Sequence, residues 1–373
     1  VLAPLMVQAR KLDPRVPDLD LLYEGILRKI PLTGTPILKY IPSLWHLLHL
    51  VDRIAWSGSR GSFKAFTARY MGAHVNYRGH WTMGDRATNT EELHRRLLGS
   101  FMVRRRKDDV LKDLPPKTVN QVYIEPTMTE LRPYHDLEDA IRDVKEQYAQ
   151  HKVRLQAASD DDDKDAIFDE ARRLLGDALG KASQLRQVLA ICKVPAAMRW
   201  LQQLIDAEEP IIVFAWHKAA QAAIYDALIA QKIPTTKIAG GDNPLDRVEA
   251  IDAFQDGRAR AIVLSIAAAG VGITLHRGAH TVHLERGWNP ADNDQAEDRT
   301  HRIGQTRPCF AWYLDVMGSF DQQVEALCDV KKRDQQLVLD GRVIPRNGST
   351  LTQRALLANY IGLTASDLEL LDG

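Results

Sequence analysis

An α/β fold built on a parallel sheet with helices on both faces is what this chain predicts, and three observations carry the prediction. From residue 210 onward, short apolar runs alternate with longer amphipathic or Ala-rich stretches. The apolar runs are continuous, as expected of strands buried on both faces. Cap and turn residues punctuate the junctions, so strand and helix follow one another as in a parallel sheet with helical crossovers.

Each element has its own justification. Residues 211–216, Ile-Ile-Val-Phe-Ala-Trp, follow Pro210 as a buried strand, and residues 218–231 form the helix after it. A second unit begins at Lys237-Ile-Ala and turns at Gly240 and Gly241. Its helix opens with Asn243 as cap, Pro244 at the first position and Asp246 in the first turn, where a carboxylate meets the positive end of the helix dipole. Residues 261–266 and 281–285 give two more strands. Asn289-Pro290 repeats the cap-and-proline start for a helix expected to carry Arg299 and Arg302 and to stop at Gly304. Residues 309–316 read as a further strand. Ser319 with Gln322 forms a capping box for a helix that runs through Leu337 and ends near Gly341.

Upstream, the rhythm changes. Leu131, Tyr134, Leu137, Ile141, Val144 and Tyr148 recur every three or four positions, and Leu174, Leu175, Leu179, Ala182, Leu185 and Leu189 repeat the pattern. Two amphipathic helices follow from that spacing. Between them Ser159-Asp-Asp-Asp-Asp-Lys164 reads as a solvated acidic loop. In the first 125 residues, a short apolar run leads to Thr33-Gly34-Thr35-Pro36, a turn, with a helical stretch over residues 41–51.

The bulk numbers narrow the classes. At 373 residues the chain can hold two domains with proper cores. Lys plus Arg and Asp plus Glu each total 49, so no global basic field announces a nucleic-acid partner and any such binding rests on local patches. Cys192, Cys309 and Cys328 are odd in number and lack CxxC spacing, which argues against a disulfide framework and against a zinc site. No metal ligand set is expected, and a reducing compartment fits. The longest apolar run, residues 261–275, is short and rich in Gly and Ala, so no membrane span is expected. No secretory signal is visible, and a start at Val1 hints at a fragment.

The chemistry concentrates in Gln295-Ala-Glu-Asp-Arg-Thr-His-Arg-Ile-Gly-Gln305. On a helix, offsets of four and three residues put Gln295, Arg299 and Arg302 on one face. Two guanidiniums and an amide aimed together suit a polyanion whose charge grows during reaction, such as a transferring phosphoryl group. The plain alternative is a solvated helix with an Asp298 to Arg302 ion pair. Upstream lie Leu264-Ser-Ile-Ala-Ala-Ala-Gly-Val-Gly-Ile-Thr-Leu275 and Trp288-Asn-Pro290. This ordered set closely resembles motifs V and VI of superfamily two helicases of the Swi/Snf type. Thr33-Gly-Thr-Pro36 is similar to motif III of that family. Leu93-His-Arg-Arg-Leu-Leu-Gly-Ser-Phe-Met-Val-Arg-Arg-Arg-Lys-Asp-Asp-Val-Leu-Lys-Asp-Leu-Pro-Pro-Lys117 looks like the basic segment after it. The resemblance covers residues 30 to about 340. The ending His-Arg-Ile-Gly-Gln looks more like double-stranded DNA translocases than RNA helicases. Glu285-Arg-Gly-Trp-Asn-Pro and Ile-Ile-Val-Phe-Ala-Trp-His-Lys218 look most like the annealing-helicase branch, related to HARP-type fork-remodelling enzymes.

What the resemblance implies is a motor of two RecA-like lobes with ATP between them. Residues 1–125 would be the end or remnant of the first lobe, 126–190 a helical protrusion with the acidic loop, 191–341 the second lobe (the helicase C-terminal domain) and 342–373 a tail. Arg302 matches the arginine finger, Arg299 its companion and Gln295 the polar opening of motif VI. Gly270 and Gly272 match the motif V loop, where backbone N–H groups could approach phosphate or nucleic acid; a turn needing positive φ is the alternative. Thr274 stands where many relatives carry Asn, and counts with His217, Lys218 and Trp288 among the candidate DNA contacts. His217 and Lys218 match the motif IV tip; Trp288 could wedge against the backbone or serve as a core aromatic. Arg104, Arg105, Arg106 and Lys107 would brace the lobes or touch DNA.

ATP and Mg²⁺ are the implied cofactors, yet the chain holds no Gly-x-x-x-x-Gly-Lys-Ser/Thr loop and no Asp-Glu-x-His before Leu32. Those groups would sit in a first lobe supplied in cis. The expected function is therefore the C-terminal motor half of an ATP-dependent double-stranded or forked DNA translocase, inactive by itself. The rival is a non-catalytic DNA-binding or protein-interaction module. The expected place of work is the nucleoid in a prokaryote or virus and the nucleus in a eukaryote.

Overall fold

In the computed structural model the described residues are 29–341, apart from 38–39, 53–54, 57–62, 76–78, 80, 85–86, 158–160 and 269–271, together with Leu356 and Tyr360. The chain divides into two compact units. One comprises Val1–Val110, Asn289–Ala291 and Cys328–Thr350, the other Leu111–Trp288, Asp292–Leu327 and Leu351–Gly373.

The first unit is helical around a small antiparallel hairpin. It contains α1 (Pro42–Val51), α2 (Phe63–Met71), β1 (His74–Val75) paired with β2 (Trp81–Thr82), α3 (Thr90–Arg96) running into a π turn at Leu97–Phe101, and α4 (Lys107–Val110). Its core gathers Ile41, Leu44, Leu48, Phe66, Tyr70, Leu93 and Leu97 with Val338 and Leu339 from the end of the last helix. His94 Nδ1 lies 2.8 Å from the Val338 carbonyl oxygen, and Arg104 Nε donates to Asp340 Oδ1 at 2.8 Å. Of the basic run, Arg104 therefore sits in a partly buried ion pair within this unit.

The second unit carries the parallel sheet. Its elements in chain order are β3 (Lys117–Tyr123), α5 (Met128–Ala157), α6 (Asp161–Cys192), α7 (Val194–Asp206), β4 (Ile211–Ala215), α8 (Lys218–Ala230), β5 (Thr235–Ile238), α9 (Pro244–Gln255), β6 (Ala261–Ser265), β7 (His280–His283), α10 (Pro290–Glu297) and β8 (Cys309–Asp315). Helix α11 (Phe320–Asp340) closes the described order. Six strands pair in the order β3-β8-β7-β4-β6-β5, all parallel. Every residue of β4 and β6 is buried, which is why their sequences are continuously apolar. Ile212, Phe214, Ile262 and Leu264 pack with Ala250 and Phe254 of α9 and with Leu275 and Ala296, forming the core on that side. This is the expected α/β architecture, a RecA-like sheet.

Local chemistry explains the helix starts. Asn243 Oδ1 accepts from Leu245 N at 2.8 Å, capping α9 as expected. Thr127 and Glu130 cap α5 reciprocally: Glu130 N donates to Thr127 Oγ1 at 3.2 Å and Thr127 N to Glu130 Oε2 at 2.7 Å, a capping box the periodicity argument passed over. At α11, Ser319 Oγ accepts from Asp321 N at 3.3 Å, while Gln322 Oε1 reaches Gly318 N at 3.0 Å, one residue further back than a capping box requires. The acidic run needs correction. Helix α6 begins at Asp161, so Asp161–Lys164 open a helix instead of lying in a loop, while Ser159 and Asp160 lie outside the described residues. Among the described residues no helix is long and apolar enough to cross a membrane.

Candidate functional site

The arginine segment differs from a single helical face. Helix α10 stops at Glu297; residues 298–300 turn and Arg302 lies in a bend. Only Gln295 of the three candidates is on the helix, and it is half-buried. The physical reason is local. Arg299 N bonds back only three residues, to Ala296 O at 3.1 Å, and Thr300 Oγ1 takes the Glu297 carbonyl at 3.0 Å, competing with helix continuation. The Arg299 carbonyl accepts instead from Leu275 N at 2.9 Å. Gly304 has φ of 101°, a left-handed position that permits the turn into Gln305.

The two guanidiniums nevertheless feel each other's charge. Arg299 is 4% exposed, donates Nη1 to Ile273 O at 3.3 Å, and leaves Nε buried without a partner among the described residues. Its guanidinium is pushed down to about 10, first by burial and then by the neighbouring charge of Arg302, with Asp298 acting the other way. Arg302 is half-buried and anchors Nε on the Asp298 carbonyl oxygen at 2.9 Å. Two adjacent cations, one with an unanswered buried donor, form a place where an anion would relieve both strains. The residues thus fit a phosphoryl group.

Beneath them lies a buried polar support that sequence reasoning missed. Lys117 Nζ bonds Glu297 Oε2 at 2.8 Å and Asp298 Oδ1 at 3.1 Å, and Tyr313 OH donates to Glu297 Oε1 at 2.6 Å. Burial disfavours the charge on Lys117, but the two carboxylates outweigh it and hold the ammonium above its ordinary range. His301 Nε2 lies 2.7 Å from the Pro115 carbonyl oxygen, and Gln305 Nε2 reaches the carbonyls of His276 and Gly278, each at 3.1 Å. The Leu-Pro-Pro-Lys117 sequence was visible, but its partner Glu297 was not, because nothing along the chain links positions so far apart.

Of the motif V candidates, Gly270 lies outside the described residues. Gly272 is exposed, and an added Cβ would meet nothing within 4 Å. Thr274 is half-buried, between Ile273 and Leu275 whose backbones both meet Arg299.

The tip beyond β4 forms a second group. Lys218 is exposed at the first position of α8, and His217, half-buried, places Nδ1 2.6 Å from Glu285 Oε1. Trp288 is 8% exposed, its ring edge-on to Phe320 and 4.5 Å from the Arg186 guanidinium, so in this geometry it is a packed aromatic. Gly287 explains its own identity: its N–H donates to Asn293 Oδ1 at 2.6 Å, and a Cβ would come within 3.0 Å of that oxygen. Among the described residues no group of three or more His, Cys, Asp or Glu could hold a metal ion.

A six-stranded parallel sheet, with Arg299 bonded to the backbones of Ile273 and Leu275, has the architecture of a RecA-like helicase lobe. Family models agree in detail: a SNF2-related domain matches residues 25–203 and a helicase conserved C-terminal domain matches residues 196–304. Together they span well over half of the sequence, and the chain belongs to the SNF2-related helicase-like family. Among its relatives is the DNA annealing helicase and endonuclease ZRANB3 of Mus musculus, 28% identical over 84% of this chain and 27% of that protein. The SWI/SNF-related matrix-associated actin-dependent regulator of chromatin subfamily A-like protein 1 homolog of Caenorhabditis elegans is 30% identical over 80% of this chain and 40% of its own length. A Sulfolobus solfataricus SWI2/SNF2 ATPase core domain matches with a TM-score of 0.45 and 19% identity, over 89% of this chain and 62% of that one. The chain spans 27% and 40% of the two curated relatives' length.

Proposed function

We propose that this chain supplies the C-terminal motor half of an ATP-dependent double-stranded DNA translocase of the fork-remodelling or annealing kind. The observation that carries this reading is the buried Arg299 guanidinium, with Nε unanswered among the described residues and its charge further disfavoured by Arg302. Arg302 acts as the finger and Arg299 as its companion, neutralising charge on the transferring phosphoryl group; Gln295 opens the segment and Gly270 with Gly272 lets backbone amides approach. ATP and Mg²⁺ are held mainly by a first RecA-like lobe in cis. Of residues 1–125, expected as the end of that lobe, 1–110 keep that assignment, whereas β3 (Lys117–Tyr123) pairs with β8 and goes with the sheet of the second lobe; 126–190 form a helical protrusion, 191–341 the second lobe and 342–373 a tail. His217, Lys218 and Thr274 face double-stranded or forked DNA, with Trp288 behind them; work on the nucleoid or in the nucleus follows.

The test is a protein carrying both this chain and its first lobe. Arg302→Ala should lower turnover by on the order of 10³-fold while leaving duplex affinity nearly unchanged, because the finger acts on the transition state. Lost affinity with retained turnover would refute the assignment. The missing phosphate loop also suits a second reading, a module that binds DNA without hydrolysis. DNA-stimulated turnover in the two-lobed protein would exclude it.

A further inference from the structure

Glu285 sits at the centre of a buried contact set that the phosphoryl-transfer reading does not use. It is 2% exposed, and its carboxylate is still held ionised: burial would push its pKa up, but the hydrogen bond from His217 and the charge of Arg186 outweigh that and leave it below the ordinary range. Oε2 accepts from Trp216 N at 2.9 Å and from His217 N at 2.8 Å, and Oε1 lies 2.6 Å from His217 Nδ1. One carboxylate thus fixes both residues that precede Lys218.

Behind it stands Arg186 of α6, also 2% exposed. Its Nε is 3.8 Å from Glu285 Oε1, its Nη2 donates to the Arg286 carbonyl oxygen, and its plane lies 4.5 Å from the Trp288 ring centre and 5.6 Å from that of Trp216. A single side chain therefore joins the tip beyond β4 to the segment after β7. Burying a guanidinium carries a large desolvation cost, and a leucine at this core-facing place between Leu185 and Leu189 would avoid it. What leucine lacks is the planar fork that meets a carboxylate, a carbonyl and two indole faces at once; lysine lacks it too.

We propose that Arg186 is a positioning residue for the β4–α8 tip. Through Glu285 and the two indoles it sets the orientation of His217 and Lys218, so the grip of this chain on duplex DNA is fixed by helix α6. The inference rests on the reading of Lys218 as a DNA contact, and makes no demand on the arginine finger.

The experiment uses the 373-residue chain and a labelled mixed-sequence duplex, with affinity followed across a salt series. The variants are Lys218→Ala, Arg186→Lys, Glu285→Gln and the double Arg186→Lys/Lys218→Ala. The ¹⁵N signals of the His217 imidazole are recorded for each, and circular dichroism checks folding. Arg186→Lys keeps the charge and loses the fork. It should move the His217 signals and weaken affinity by about tenfold, and the double variant should be little weaker than either single one, because both act through one contact. Glu285→Gln, nearly isosteric, should do the same and carries the test if Arg186→Lys fails to fold. If Lys218→Ala weakens binding while Arg186→Lys and Glu285→Gln leave both affinity and the His217 signals unchanged, the proposal is overturned and the DNA reading survives. If Lys218→Ala itself leaves binding unchanged, the reading of the tip as a DNA contact falls and the proposal falls with it.

Discussion

At the scale of single residues, His283 carries a testable consequence of burial. It lies in β7, 1% exposed, stacked against Phe214 and Tyr313, and neither ring nitrogen meets a partner among the described residues. Desolvation, the largest cause, pulls its pKa from 6.5 to about 4; Glu297 and Asp315 act upward, Arg286 and Lys117 downward. The folded state therefore holds the neutral ring, and the unfolded state binds the proton more readily. This contribution to stability is complete above about pH 6.5 and is lost as pH falls toward about 4, with an upper bound of about 3 kcal/mol. Urea midpoints measured across that window should fall more steeply for the native chain than for His283→Phe. Parallel curves would mean that the ring is not held neutral. At Arg299 burial likewise disfavours the charged form, with the charge of Arg302 adding to it.

At the scale of elements, short-range chemistry explains the helix beginnings better than the helix ends. Asn243 caps α9 through its side-chain oxygen, so Asn243→Ala should lower stability by about 1 kcal/mol, and Asn243→Gly by a few tenths of that, read from denaturant midpoints. An equal loss for both variants would assign the effect to something other than the cap. Helix α10 is the contrary case. Its sequence continues an apparently helical spacing through Arg302, yet the helix ends at Glu297. Glu297 is committed to Lys117 and Tyr313, and the Arg299 carbonyl to Leu275 N. These long-range partners outweigh the last turn that local propensity would add, and they turn Arg299 toward the motif V segment.

At the scale of the whole molecule, zero net charge limits how DNA can be held. On the proposed function, binding would rest on a few local cations and backbone amides, so affinity should be modest, indifferent to sequence and weakened by salt, and Lys218→Ala should make the salt slope shallower by about one unit. Two unrelated duplexes compared across a salt series would check this; a preference above ~100-fold for one of them would point to a base-reading module. The 373-residue chain by itself should also turn over ATP no faster than buffer, since its sequence contains no phosphate loop and its described residues no metal-binding cluster. Measurable DNA-stimulated hydrolysis by this chain alone would contradict the division of labour between lobes.

The sheet strands, the cap at Asn243 and the ordered motifs were legible in the sequence, because burial on both faces, capping and motif spacing are written in neighbouring residues. The SNF2-related family follows from the same local signals. Tertiary structure alone decided that the helix ends before Arg299 and Arg302, that Lys117 and Tyr313 hold Glu297, and that Arg186 reaches Glu285 and Trp288. Those contacts join residues separated by tens to hundreds of positions, and the desolvation that makes them matter exists only once the sheet has buried them.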